Sequence, residues 1–66
     1  MAVAKTIEIS ADSPVSFAEA VKVGIAKAAE TVHGIDGAYV KELKVIVNDG
    51  QVTSFRAHMQ VTFILD

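Results

Sequence analysis

From Gln51 to Leu65 the odd positions are Thr53, Phe55, Ala57, Met59, Val61, Phe63 and Leu65, while the even positions include Ser54, Arg56, His58, Gln60 and Thr62. A period of two with one apolar side predicts a strand that buries its odd side and presents a mostly polar even side. Arg56, His58 and Gln60 then point the same way in a row, and any ligand chemistry of this chain is expected there. Val3 to Ile9 also alternates and is rich in β-branched residues, which predicts a first strand, with Ala11 to Pro14 as its break. Between them Phe17, Ala20, Val21, Gly24, Ile25, Ala28 and Val32 recur at helical spacing, with Glu19, Lys22, Lys27 and Glu30 mostly opposite. That is an amphipathic helix with one buried stripe.

The ends of these elements carry their own signals. Ser16-Phe17-Ala18-Glu19 is a capping box, and Ser13 before Pro14 is a rival start. Gly24 weakens the helix, so its expected role is close packing against a sheet. His33 falls in the expected last turn, where a cation complements the helix dipole, and Gly34 reads as a left-handed cap. A second strand is expected from Gly37 to Asn48, followed by Asp49-Gly50, the signal of a two-residue type I′ hairpin.

Such a turn pairs Asn48 with Gln51. Val40 then faces Met59 and Ala38 faces Val61 on the apolar side. Tyr39 falls opposite Gln60, Lys41 opposite His58 and Leu43 opposite Arg56 on the other side. This register puts Glu42 and Lys44 on the apolar side, and Val45 and Val47 outside. A β-bulge near Glu42–Lys44 would switch the parity; alternatively, these residues overhang the helix and meet a neighbouring chain. The pattern as a whole is one domain over residues 1–66, α+β in class, with order β-α-β-β. A three-stranded antiparallel sheet wraps around one helix, and the first strand pairs with one strand of the hairpin.

Size sharpens this picture. A chain of 66 residues buries only about 60% of the surface its unfolded form exposes. Without cysteine it has neither disulfides nor thiolate metal sites. It is nevertheless 52% hydrophobic. The helix spans about 25 Å and the second strand about 36 Å, so one helix cannot cover the hairpin. Ile46, Val47, Val52 and Phe55 need apolar cover from another copy, and self-assembly is the expected remedy. A net charge of −2 with interspersed signs argues against nucleic acid. No run is long and apolar enough for a signal peptide or a membrane span, so a cytoplasmic protein is expected.

The runs Lys5-Thr6-Ile7-Glu8-Ile9, Ser16-Phe17-Ala18-Glu19-Ala20-Val21 and Ala26-Lys27-Ala28-Ala29-Glu30-Thr31-Val32 carry a family resemblance, extended by Val40-Lys41-Glu42-Leu43-Lys44 and Met59–Leu65. In this order and spacing they resemble the dodecins over essentially the whole chain. The resemblance implies a hollow homododecamer built from trimers, binding flavin (riboflavin, FMN or FAD) in pairs between subunits for storage, with coenzyme A a further partner in some members. It implies no enzymatic activity. Two positions depart from the family pattern. Gly37 stands where a stacking tryptophan is usual, and Arg56 stands where a glutamine bonds the edge of the isoalloxazine ring. Lys44 matches a position where a phosphate-binding arginine occurs.

The expected ligand-facing set is therefore Gly37, Tyr39, Lys44, Arg56, His58 and Gln60. Tyr39 substitutes an aromatic surface, and Arg56 donates to carbonyls or a phosphate. Each has a plainer alternative. Arg56 pairs with Glu8 or Glu42 across a subunit boundary, His58 and Gln60 are hydrogen-bonded interface groups, and Tyr39 packs between subunits. Glu42 and Lys44 read as interface charges. His33 and Asp36 lack a third ligand, so no metal is expected. No nucleophile or acid–base pair is positioned for catalysis. Two readings stand: a storage module with a modified flavin site, or the same shell without flavin affinity, serving assembly or another small anion.

Overall fold

The computed structural model describes residues 3–65; the ends of the expected 1–66 unit, residues 1, 2 and 66, lie outside the described residues. The order is β1 (Val3–Ser13), α1 (Phe17–Ala28), β2 (Ile35–Asn48) and β3 (Gln51–Leu65). The sheet runs β1-β3-β2, antiparallel throughout. The long last strand is thus central, and both of its sides are paired.

The first strand is longer than expected. Alternation does not stop at Ile9 but continues through Ser10, Ala11 and Asp12 to Ser13, which pairs with Phe55. Ser13 is buried, and its hydroxyl accepts a hydrogen bond from the Val15 amide at 3.0 Å. It shapes the turn into the helix, while Ser16 is the cap: its side chain accepts from the Glu19 amide at 3.0 Å. The two rival start signals therefore act in series. The helix ends at Ala28, about a turn before the expected last turn. Residues 29–31 continue as tight turns, closed by the Glu30 amide on the Lys27 carbonyl and the Thr31 amide on the Ala28 carbonyl. His33 thus lies beyond the helix. Gly34 does take a left-handed φ of 79°, but as a connector whose carbonyl accepts from the Ile64 amide at 3.0 Å.

Gly24 behaves as expected. A Cβ placed there would sit 2.9 Å from both Ala11 Cβ and Met59 Cε, so the helix rests directly on the sheet. Ala20, Ala57, Met59 and Val61 form the fully buried core, flanked by Ile7, Ile9, Ala11, Val21, Ile25, Ile35 and Val40. Phe17 and Phe55 meet edge to face at 5.1 Å beyond it.

The hairpin resolves the parity conflict. Asp49 (φ 54°) and Gly50 (φ 75°) form the turn, and Asn48 pairs with Gln51. Two bulges follow. Thr53 is the extra residue on β3, between the Val47–Val52 and Ile46–Ser54 pairs, and its hydroxyl donates to the Ile46 carbonyl at 3.2 Å. Lys41 is the extra residue on β2, between the Val40–Met59 and Glu42–His58 pairs. Glu42, not Lys41, therefore faces His58, and Lys44, not Leu43, faces Arg56. Tyr39 opposite Gln60 and Ala38 opposite Val61 stand as expected. Cross-strand partners share a face, so Leu43, Val45 and Val47 join Val40 on the helix side. Glu42 and Lys44 move to the polar side. A bulge adds one residue and exchanges the faces of all that follow. Replacing Gly50 with valine should lower the melting temperature of the protein, because a β-branched residue at positive φ costs about 1–2 kcal/mol. No atom lies within 4 Å of a Cβ at Gly50, so the effect reports backbone strain alone. An unchanged melting curve would contradict the turn assignment.

Candidate functional site

The face of the sheet opposite the helix carries the chemistry. Its central row comes from β3, whose residues 54, 56, 58, 60 and 62 alternate with the buried Ala57, Met59 and Val61. From β1 the same face takes Glu8, Ser10 and Asp12, opposite Gln60, His58 and Arg56. From β2 it takes Gly37, Tyr39, Glu42 and Lys44, opposite Thr62, Gln60, His58 and Arg56. All six expected site residues are thus brought to one surface.

Three side chains are tied down across strands. Arg56 makes a two-pronged ion pair with Asp12 directly opposite, Nε to Oδ1 at 2.7 Å and Nη2 to Oδ2 at 2.9 Å. This geometry matches the planar fork of a guanidinium to a carboxylate. The hydrogen bonds hold the Asp12 carboxyl below its ordinary value and raise Arg56 above its own. His58 Nδ1 lies 2.8 Å from Ser10 Oγ, and its Nε2 lies 3.1 Å from Glu8 Oε1. The bulged Lys41 reaches across the central strand and donates to the same Glu8 oxygen at 3.0 Å. Glu8 is held below its ordinary carboxylate range, first by the Lys41 hydrogen bond and then by that from His58.

The remaining members are open. Tyr39 is 67% exposed. A Cβ at Gly37 would meet nothing within 4 Å, so the surface beside it is bare backbone. Lys44 makes no ion pair among the described residues. With Glu42, Arg56 and His58 it lines an open hollow of about 230 Å³. A second, larger groove of about 580 Å³ runs between α1 and β1 on the other side of the sheet, walled by Ile7, Ile9, Val23 and Val32 among others. No three His, Asp or Glu side chains among the described residues come together to hold a metal ion. None of the described helices is long and apolar enough to cross a membrane.

Within the chain Arg56 has its partner in Asp12, a carboxylate that sequence reasoning did not single out. Sequence reasoning missed the whole β1 contribution of Glu8, Ser10 and Asp12 as a set. The signal was present: these residues alternate with Ile7, Ile9 and Ala11 in one unbroken period of two. It was cut short by ending the strand at Ile9. Lys41 was expected on this side opposite His58 but outside the site set; the bulge gives that place to Glu42 and leaves Lys41 to reach Glu8.

A family model for dodecin matches residues 3–66. Dodecin from Streptomyces davaonensis is 32% identical, with 98% of this chain and 96% of that one covered and a TM-score of 0.94. Calcium dodecin from Mycobacterium tuberculosis, a calcium-chelating antigen with a calcium-binding site of its own, is 29% identical over 97% of this chain and 91% of that one, with a TM-score of 0.84. Dodecin from Streptomyces coelicolor, at 23% identity, shares the fold over 98% of this chain and 93% of that one, with a TM-score of 0.94. No match was found among curated proteins. The agreement of family model, strand order and chain-long superposition places this chain in the dodecin family.

Proposed function

We propose that this protein is a homo-oligomeric storage module that sequesters flavin between subunits on the face described above, without chemical turnover. The observation that carries this reading is the pairing of an exposed Tyr39 ring with Gln60 directly opposite, beside the open backbone at Gly37. A flavin ring needs an aromatic surface for its plane and an amide for its polar edge, and these residues fit both needs. Lys44, which makes no ion pair among the described residues, supplies a cation for a phosphate. Arg56 is braced by Asp12 through Nε and Nη2, which leaves its other N–H groups for a ligand oxygen. His58 flanks Gln60 on the same row.

One observation favours the rival reading of a shell without flavin. Asp12 already satisfies Arg56, and Glu8 already satisfies both Lys41 and His58, as on an assembly surface. Titrating riboflavin, FMN and FAD into the purified protein separates the two, because a ring stacked on tyrosine loses its fluorescence. Quenching is expected with the native chain. It should tighten with Gly37→Trp, since an added stacking ring is worth about 0.5–1.5 kcal/mol beyond its buried area, or roughly two- to tenfold in affinity. Tyr39→Ala should weaken it. No quenching by the native chain or by Gly37→Trp would sink the storage reading and leave the assembly role.

A further inference from the structure

We propose that His58 is a proton-operated selectivity element, which makes this site favour a phosphate-bearing flavin over a neutral one as the pH falls. The inference rests on the flavin reading above, and the geometry of His58 carries it. The ring sits on the central strand between two partners of unlike chemistry. A carboxylate can only accept, so Nε2 must donate to Glu8, and in the neutral ring Nδ1 then accepts from the Ser10 hydroxyl. On protonation Nδ1 becomes a donor. The Ser10 hydroxyl can rotate and accept instead, because it has lone pairs as well as a proton. Both states of the ring can therefore be fully hydrogen-bonded, and a proton enters at the cost of one hydroxyl rotation.

The surroundings give that proton its effect. Glu8 and Asp12 face the ring's side of the sheet from β1, and Lys41, Glu42 and Lys44 from β2. Arg56 is the neighbour on the same strand, and the helix lies on the opposite side of the sheet. Three carboxylates stand against three cations. Two of the carboxylates, Glu8 and Asp12, are held below their ordinary range by Lys41 and Arg56. Histidine is the side chain whose charge ordinarily changes between pH 5 and 8. The face is thus balanced while His58 is neutral and carries one net positive charge once it is protonated. The hollow that His58 shares with Lys44, Arg56 and Glu42 would then set three cations, in place of two, against one carboxylate. A ligand without a phosphate gains nothing from the change.

The test compares FMN with riboflavin by fluorescence titration at pH 8 and pH 6, using the full chain and its His58→Gln variant. Size exclusion at each pH tracks the assembly. For the native protein the ratio of FMN to riboflavin affinity should rise about three- to tenfold on going to pH 6. For His58→Gln it should stay level or fall, because the phosphate itself gains a proton near pH 6 and loses charge. A native ratio that does not rise, or one that rises equally in His58→Gln, overturns the proposal. If His58→Gln does not fold, His58→Asn replaces it. Its ratio of FMN to riboflavin affinity should likewise stay level or fall toward pH 6, and a rise equal to that of the native chain overturns the proposal. Should neither flavin bind at either pH, the storage reading fails. Calorimetry with inorganic phosphate then decides His58 alone: binding that tightens from pH 8 to pH 6 only in the native chain supports its role, and any other result rejects it.

Discussion

At micromolar concentration this protein is expected to run as a closed assembly, a dodecamer by family, and Leu43→Glu is expected to break it into small species. The helix packs on β1 and β3, so the helix side of β2 is left largely uncovered. Leu43 there is 55% exposed and Val47 is 57% exposed, an apolar row that a lone chain would present to water. Each such side chain is worth about 1.5–3 kcal/mol when fully buried. A glutamate in its place would have to be desolvated without a partner, which costs more than the leucine contributes. The repeated interface multiplies that penalty over every copy. Light scattering coupled to size exclusion reads the result directly. If unfolding is reversible, the native melting temperature should also rise with protein concentration. A monodisperse, folded native monomer would contradict the assembly.

Gly24→Ala should lower stability even though alanine is the better helix former by about 1 kcal/mol. The new methyl would stand 2.9 Å from Met59 Cε and 2.9 Å from Ala11 Cβ. Met59 Cε is the far end of a flexible chain and can swing aside. Ala11 Cβ is one bond from the β1 backbone and cannot, so the helix must lift off the sheet. Overpacking of this kind costs about 1–3 kcal/mol. In a chain of this size each kcal/mol is worth about 4–8 °C of melting temperature. Gly24→Val should be worse still. A gain in melting temperature for Gly24→Ala would mean that the helix is not seated at this distance.

Element type and order were legible because each segment repeats its pattern several times. The helix stripe, the β3 alternation and the Asp49-Gly50 turn each rest on many agreeing residues or on one demanding backbone geometry. The endings were less legible. Ala11 and Asp12 look like a break because small and acidic residues are common in turns, yet pairing with Ala57 and Arg56 holds them extended. His33 looked helical because apolar spacing reaches Val32, but past Ala28 the Glu30 and Thr31 amides close tight turns on the Lys27 and Ala28 carbonyls instead of continuing the helix. The site was half legible. Its β3 row shows as polar alternation, whereas its ion pairs join residues more than thirty positions apart. Only the register brings those together.

That register has a consequence for how the hairpin can vary. Lys41 and Thr53 are single extra residues on opposite strands, and their offsets cancel. Between them lie the five rungs from Glu42–His58 to Ile46–Ser54. Loss of one extra residue alone would slide those rungs out of step with either the turn or the open end, and their apolar row would turn toward the polar surface. Loss of both would leave every partner where it is. Length changes at these two bulges are thus tolerable only as matched pairs, one on each strand, whereas the extra Asp36 lies outside the stretch between them, near the open end. Related chains aligned by eye should show their single-residue gaps at these two places together or not at all.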